Sequence, residues 1–388
     1  MSSEENVNNG VFEPISSVKI AENELVSYIA LTMARGVGPV LARRLISTLG
    51  SAKNVIETPQ RKLEMVPGVG KVLAEAIKQA GLVDCANREM DFLEKVGGKA
   101  VCEIDVDYPK RLKECEDCPI VLYKKGNIQL EVKHVMGVVG TRKMTTYGRT
   151  HINNILKELS EKVPELLIVS GLAHGVDGTA HRCALDLGLQ TVGVVGHGLN
   201  MVYPAEHRGL AERMFANGGL LTEFHSHSSV DRKNFVSRNR IIAGLCDVIW
   251  VVESGEKGGA LLTADFADSY SREVCALPGR VGDLYSAGCN GLIKKNRAVM
   301  IESADDIIQM MNWDQNVRKK EAVQLSLFMD LTERERLVVQ ALEIEGRMQV
   351  NLMVRKLQLP MNELSSILFD LEMKDVVCSF PGGVYGLN

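Results

Sequence analysis

The spacing of apolar and polar residues divides the chain into three parts. From residue 22 to about residue 80, apolar residues recur at the spacing of amphipathic helices, which are separated by glycine turns at residues 36–39 and 66–71. Between residues 135 and 311, short apolar runs alternate with helical stretches. From Leu331 onwards the helical spacing returns, and the chain closes with strand-like alternation around a Pro-Gly-Gly turn.

Apolar runs in the middle part predict buried strands, because parallel strands covered by helices on both faces are apolar along their length. The pattern therefore indicates an α/β domain with a doubly wound, largely parallel sheet. In such sheets, ligands bind beyond the carboxyl ends of the strands. The runs predicted to form strands span residues 135–139, 166–169, 191–195, 219–222, 247–252, 274–277 and 298–301.

These patterns divide the chain into segments with different expected structures. The glycine turns in the first helical part are typical of helix-hairpin-helix (SAM-like) elements, and three helices with a terminal hairpin resemble a winged helix. We expect a flexible N-terminus (1–20), a helix-hairpin-helix-like domain (21–82), the sheet domain with its entry connector (83–312), a linker (313–329) and a winged-helix-like domain (330–388).

Length and composition indicate a multidomain soluble protein. The chain has 388 residues, which exceeds the ~250–300 at which a single core stops growing. With a net charge of −4, nucleic-acid binding would require local basic patches. Nine cysteines without a signal peptide favour reduced thiols in a cytoplasmic protein. No apolar stretch approaches the ~20 residues of a membrane span, so we expect no membrane association.

Neither a metal nor another cofactor is expected. Cys115 and Cys118 have a C-x-x-C spacing, but no second ligand pair completes a zinc site, which favours two ordinary thiols. The histidines between His151 and His227 have no carboxylate at metal-ligand spacing. The first strand is not followed by G-x-G-x-x-G, which disfavours a dinucleotide.

The turn after the first strand is the first candidate site. Gly140 and Thr141 would offer backbone N–H groups, and Arg142 and Lys143 would offer cations, where a helix begins. This combination suits a phosphate. The helix-hairpin-helix turn before Lys71 could also contact phosphate, or it could simply pack the helices of its domain.

Residues 231–245 contain four basic residues around one aromatic residue. Arg232, Lys233, Arg238 and Arg240 could neutralise phosphates, and Phe235 could stack on a base, which together favour single-stranded nucleic acid. Alternatively, Phe235 belongs to the core, and the two later arginines pair with carboxylates such as Glu223 and Glu253.

Further candidates lie in glycine-rich turns at the same edge of the predicted sheet. Ser170, Gly171 and His174 follow one strand, and Gly196 and His197 follow the next. His174 could donate to a phosphate or could stabilise its turn. In the C-terminal part, Glu363, Asp370 and Glu372 lie in the presumed recognition helix, which favours contact with protein over contact with DNA.

Together these motifs resemble the DNA processing protein A (DprA/Smf) family of bacteria. The resemblance includes Gly140-Thr-Arg, the Ser170-Gly-Leu-Ala-His-Gly-Val-Asp turn, Gly196-His-Gly with Tyr203-Pro204, and the segment from Phe235 to Leu245. It also includes Lys257-Gly-Gly-Ala-Leu-Leu-Thr-Ala and covers nearly the whole sheet domain in order.

The resemblance implies an extended Rossmann-like fold and a homodimer that binds single-stranded DNA and has no catalytic activity. It also implies that the protein protects incoming strands and loads the RecA recombinase for homologous recombination in natural transformation. The residues expected to hold DNA are Gly140, Thr141, Arg142, Lys143, Ser170, Gly171, His174, Gly196, Arg232, Lys233, Phe235, Arg238, Asn239, Arg240 and Lys257.

The alternative is a nucleotide-binding enzyme, because related Rossmann-like proteins hydrolyse the glycosidic bond of nucleoside monophosphates. Those enzymes use a Pro-Gly-Gly-x-Gly-Thr turn followed by a glutamate. Here the equivalent turn, residues 256–263, lacks both that proline and the following glutamate. The catalytic carboxylate is therefore missing.

Overall fold

A computed structural model describes residues 22–313, 331–374 and 376–387. The expected N-terminal segment 1–20 and nearly all of the expected linker 313–329 lie outside the described residues. Among the described helices, none is long and apolar enough to cross a membrane.

The N-terminal part is entirely helical. Tyr28, Leu31 and Leu45 lie in its core, and several ends are fixed by local chemistry: Pro39 begins the second helix, and Gly50 ends it with φ = 92°. The helices are α1 (Glu22–Met33), α2 (Pro39–Leu49), α3 (Ala52–Glu57), α4 (Gln60–Leu63), α5 (Lys71–Ile77) and α6 (Leu82–Val96).

The middle part forms one sheet of nine strands in the order β1-β2-β6-β5-β4-β3-β7-β8-β9. From β6 to β9 all neighbouring strands are parallel, whereas β1 and β2 extend one edge in antiparallel pairs. The strands are β1 (Gly98–Cys102), β2 (Val121–Asn127), β3 (His134–Val139), β4 (Leu166–Ser170), β5 (Gln190–Val194), β6 (Gly218–Thr222), β7 (Val248–Val251), β8 (Glu273–Ala276) and β9 (Val299–Met300).

All seven predicted strands are confirmed, each end lying within one residue of the prediction. Helices cover both faces of the sheet, with α8, α9 and α15 on one face and α12 and α13 on the other. The helices are α7 (Lys110–Lys113), α8 (Thr146–Lys162), α9 (Val176–Asp186), α10 (Arg208–Met214), α11 (Arg232–Ser237), α12 (Asn239–Leu245), α13 (Gly259–Ser269), α14 (Ala287–Lys294) and α15 (Ala304–Met311).

The C-terminal part has a separate core of its own, which includes Val338, Leu342 and Leu368. Thr332 and Glu335 form a reciprocal capping box at the start of its first helix. Its second helix begins at Val350, because Met348 and Gln349 belong to a strand. The elements are α16 (Glu333–Glu345), β10 (Arg347–Gln349), α17 (Val350–Leu357), α18 (Met361–Met373), β11 (Val377–Phe380) and β12 (Val384–Leu387).

Arg43 links the N-terminal helices to the entry connector, the segment between β1 and β2 (residues 103–120). Arg43 on α2 donates to the Glu103 carboxylate through Nε (2.5 Å) and to the Glu116 carbonyl through Nη1 (2.8 Å). The Nη2 atom of Arg43 contacts both the carbonyl and the thiol of Cys118. Cys115 and Cys118 are both buried, and burial raises the pKa of each thiol.

Candidate nucleic-acid interface

The turn after β3 uses several of its own hydrogen-bond donors. The Thr141 N–H donates to the Glu253 carbonyl (2.7 Å), and the Lys143 N–H donates to the Thr141 hydroxyl (3.1 Å). At the start of α8, the Thr145 N–H donates to the Glu253 carboxylate (2.8 Å). The prediction that the Thr141 N–H would be free to bind a phosphate is therefore wrong. The exposed side chains of Arg142 and Lys143 remain as donors at this turn.

Several of the predicted residues nevertheless converge at the carboxyl ends of β3, β4 and β5. They line a small cavity of about 20 Å³ that we call the aromatic cleft. Its lining consists of Arg142, Gly171, Ala173, His174, Tyr203, Pro204, Phe235 and Arg238.

Two aromatic rings form one wall of the aromatic cleft. The ring centroids of Tyr203 and Phe235 are 5.5 Å apart and tilted by 53°. Phe235 packs against Gly196, where an added Cβ would lie 3.0 Å from the phenylalanine ring. A larger residue at position 196 would therefore displace Phe235. Tyr203 was not among the predicted DNA-binding residues, although the motif Tyr203-Pro204 belongs to the family pattern and could have indicated it.

Arg238 forms the floor of the cleft and is only 5% exposed. Its guanidinium donates to the carbonyls of Gly171 (2.8 Å) and Val194, and its Nε donates to the Asn239 side chain (3.2 Å). Burial raises the pKa of the Asp177 carboxyl, and the charge of Arg238 opposes that shift. Arg238 thus holds neighbouring turns together and faces Asp177, and not the Glu223 or Glu253 considered from the sequence.

Arg240 lies outside the lining of the cleft, and its guanidinium is already engaged. It pairs with the Glu223 carboxylate and donates to the Asp117 carbonyl. The pairing of Arg240 with Glu223 that was considered from the sequence is therefore confirmed. With 8% of its surface exposed, Arg240 contributes to packing between α12 and the connector.

Other predicted residues divide into exposed and internally bonded groups. His174 is half exposed, and its Nε2 lies 3.9 Å from the Glu206 carboxylate. The Ser170 hydroxyl is buried and donates to the Val138 carbonyl (2.6 Å). His197 is buried as well, with Nδ1 at 2.9 Å from the Gly198 carbonyl, while its Nε2 accepts from the Tyr203 N–H (3.2 Å). Ser170 and His197 therefore stabilise turns that shape the cleft.

The remaining predicted cations are exposed. Arg232 and Lys233 begin α11, whose first turn is capped by the Asp231 carboxylate (2.9 Å to the Lys233 N–H). Lys257 is exposed in the loop before α13 and does not line the aromatic cleft.

A second, larger cavity of about 740 Å³ lies at the same edge of the sheet, beyond β7 and β8. We call it the acidic cavity because Glu253, Asp283 and Glu302 line it with Arg280 as the one lining cation. Tyr147 lies at its border and donates to the Pro278 carbonyl (2.6 Å). The other lining residues are Thr145, Gly279, Leu284, Tyr285 and Ser286.

The flanking domains do not share the chemistry of the aromatic cleft. Gly38 and Pro39 of the first hairpin face Arg240 and Glu223 of the sheet domain. Lys71 of the second hairpin lies 3.9 Å from Glu75. On α18 the exposed side chains include Phe369 (62% exposed) and Met373 (74%), beside the exposed Asp370 and Glu372.

Among the described residues no cluster could hold a metal ion.

Comparisons with known proteins identify the family. A model described as DNA recombination-mediator protein A matches residues 99–312. A SAM-like helix-hairpin-helix tandem matches residues 28–80, and the DprA winged helix domain matches residues 329–383. The chain belongs to the DNA processing protein A (DprA/Smf) family. Its fold is accordingly a helix-hairpin-helix domain, a Rossmann-like sheet domain and a winged helix domain.

Similar members of this family occur in other bacteria. Protein Smf of Synechocystis is 34% identical over 291 residues, which cover 73% of this chain and 71% of that protein. The DNA processing protein DprA of Bacillus subtilis is 40% identical over 203 residues, covering 52% of this chain and 67% of that protein.

Solved structures of family members have the same fold. The crystal structure of DprA from Streptococcus pneumoniae is 28% identical, covers 75% of this chain and 98% of its own, and has a TM-score of 0.59. The family member from Helicobacter pylori, whose structure describes a single-stranded DNA binding mode, is 27% identical. It covers 55% of this chain and 94% of its own, with a TM-score of 0.50.

Proposed function

We propose that this protein binds single-stranded DNA in the aromatic cleft. The observation that carries the proposal is the convergence of Arg142 with Tyr203 and Phe235 at one edge of the sheet. A guanidinium can pair with a phosphate while aromatic rings stack on the neighbouring base. Since bases in a duplex are stacked on each other, this arrangement favours a single strand.

Exposed cations around the cleft extend the same chemistry. Lys143 follows Arg142 in the first turn, and Arg232 and Lys233 begin the helix that carries Phe235. We propose that these side chains contact phosphates on either side of the stacked base. Each phosphate neutralised on a single strand makes the slope of log affinity against log salt steeper by about 0.7.

At the level of the cell, we propose a recombination mediator without catalytic activity. It would act in the cytoplasm as a homodimer, protect incoming single strands and load RecA during natural transformation. Membership of the DprA/Smf family supports this role, and so does the binding of single-stranded DNA by the relative from Helicobacter pylori.

The nucleoside monophosphate hydrolase is the less favoured alternative. In the acidic cavity the Glu253 carboxylate already accepts hydrogen bonds from the N–H and hydroxyl of Thr145. The helix start that could bind a phosphate is therefore occupied by a carboxylate, and Asp283 and Glu302 would repel a second anion. Release of adenine from AMP by the purified protein would support this alternative.

Fluorescence anisotropy with labelled oligothymidylate tests the binding proposal. The wild type should prefer the single strand over its duplex, with an affinity that falls as salt rises. The double variant Arg142→Ala with Phe235→Ala should weaken single-strand binding by about 100-fold, because it loses the binding free energy of one charge contact and of one stacked base. Unchanged affinity in a correctly folded double variant would refute the proposal.

RecA loading requires a separate experiment. RecA should form filaments on oligonucleotides coated with single-strand binding protein faster when this protein is added, as measured by DNA-dependent ATP hydrolysis. The Arg142→Ala, Phe235→Ala variant is the control. No acceleration by a wild type that binds DNA would refute the mediator role and leave the binding proposal intact.

A further inference from the structure

Two helices begin at the aromatic cleft and run away from it side by side. The N–H of Val176, the first residue of α9, donates to the Thr141 carbonyl (3.2 Å), so α9 starts directly against the turn that carries Arg142. Helix α8 starts at Thr146 in the same turn, and the two helices pack against each other on one face of the sheet. The line along which α8 and α9 meet at the protein surface, which we call the α8–α9 groove, therefore begins near the turn that carries Arg142.

Three arginines lie along this groove and on the next helix. Arg149 is on α8, Arg182 on α9 and Arg213 on α10, and all three are exposed. Arg213 donates to the Asp186 carboxylate (2.6 Å), whereas neither Arg149 nor Arg182 has an ion-pair partner among the described residues. Helix α9 packs against both α8 and α10, which places the three arginines on neighbouring helices. Partial burial and the charges of Arg149 and Arg213 lower the pKa of Arg182, whereas Asp186 opposes the shift.

Arg149 and Arg182 therefore add two exposed positive charges without ion-pair partners among the described residues, and an anion bound beside them would be favourable. Arg149 is three residues into α8, and Arg182 is six residues into α9. At 1.5 Å per residue they lie about 4–9 Å along their helices from the ends that border the cleft. A polyanion held by Arg142 could therefore reach them without leaving the surface.

We infer that Arg149, Arg182 and Arg213 form a second phosphate-binding patch, which continues the path of single-stranded DNA from the aromatic cleft along the α8–α9 groove. This inference rests on the proposed function, because the same strand must first occupy the cleft. Because its three residues are all arginines, the patch binds the sugar-phosphate backbone without stacking on bases. It lengthens the binding site and adds no sequence preference.

Binding of two lengths of oligothymidylate tests the patch. The short probe, about 6 nucleotides, covers the cleft alone, and the long probe, about 20 nucleotides, reaches the groove as well. The variant Arg149→Ala with Arg182→Ala should bind the short probe as the wild type does and the long probe about tenfold more weakly. Its salt slope for the long probe should become shallower by about 1.4, which corresponds to two phosphates.

The matched control is Lys294→Ala with Lys295→Ala, which removes the same charge from exposed positions at the end of α14. It should leave both probes unaffected. The inference is overturned if the arginine variant binds the long probe as tightly as the wild type does, or if it weakens both probes equally. Failure of the wild type to bind either probe would instead refute the proposed function itself.

Discussion

The aromatic cleft and the acidic cavity lie at the same edge of one sheet, on either side of the turn after β3, yet they differ in almost every physical property. The acidic cavity is much larger, about 740 Å³ against about 20 Å³. It is lined by three carboxylates, whereas the small cleft has two arginines and two aromatic rings tilted against each other. The comparison shows that the larger cavity is the one whose charge disfavours a polyanion, so the proposed site is chosen by its charge and aromatic surface and not by its size.

The largest expected effect concerns the support of the cleft. Arg238→Met should lower the free energy of unfolding by about 3–5 kcal/mol, because it removes the cation that faces the buried Asp177. Urea denaturation followed by circular dichroism measures this change. Arg280→Met in the acidic cavity is the control and should stay within about 0.5 kcal/mol of the wild type, since Arg280 is exposed. Equal stability of the two variants would contradict the role assigned to Arg238.

The next prediction compares two tyrosines of similar exposure, Tyr203 in the cleft (46% exposed) and Tyr147 in the acidic cavity (44%). Tyr203→Ala should weaken binding of oligothymidylate by about 1–3 kcal/mol, because a base loses an aromatic surface. Tyr147→Ala should leave the affinity unchanged. Anisotropy titrations of both variants at one salt concentration decide between the two cavities, and the reverse order would assign the strand to the acidic cavity.

A smaller effect is expected for Glu253, which lines the acidic cavity and accepts hydrogen bonds from the turn that carries Arg142. Glu253→Gln should cost about 1–2 kcal/mol of unfolding free energy, since a charged acceptor at the start of α8 is replaced by a neutral one. Affinity for single-stranded DNA should remain within about twofold of the wild type, a difference of at most about 0.4 kcal/mol. A tenfold loss of affinity at normal stability would show that Glu253 takes part in binding.

The smallest effect is expected for Lys257, which is exposed outside the lining of the cleft. Lys257→Ala should change single-strand affinity by less than about 0.5 kcal/mol and leave the salt slope as it is. Lys143→Ala, in the first turn, should instead make the slope shallower by about 0.7. If both lysines change the slope equally, the strand also contacts the loop before α13.

The sheet could be predicted from the sequence because its strands are apolar along their length and short. The roles of the arginines between positions 232 and 240 could not be separated in the same way. Arg238 and Arg240 are buried by contacts with residues far away in the chain, such as Val194 and Glu223. Composition marks a basic segment, but only tertiary packing decides which of its charges remain in water.

The first turn gives a similar lesson about backbone groups. A glycine turn before a helix usually leaves N–H groups free for an anion. Here the Glu253 carbonyl and carboxylate accept from Thr141 and Thr145, although Glu253 is more than a hundred residues away in the chain. The residues around position 140 therefore do not reveal that Glu253 is the hydrogen-bond acceptor of this turn.

The Arg43 contacts determine where this protein can be cut into pieces for study. A fragment that starts at residue 99, where the family model begins, would keep Glu103 and Cys118 but lose the guanidinium that binds them. It would also lose Glu89, whose carboxylate accepts from the Ser226 N–H (2.9 Å). A fragment intended to retain the native sheet domain should therefore include the N-terminal helices from Glu22 onwards, because their side chains bind Glu103, Cys118 and Ser226.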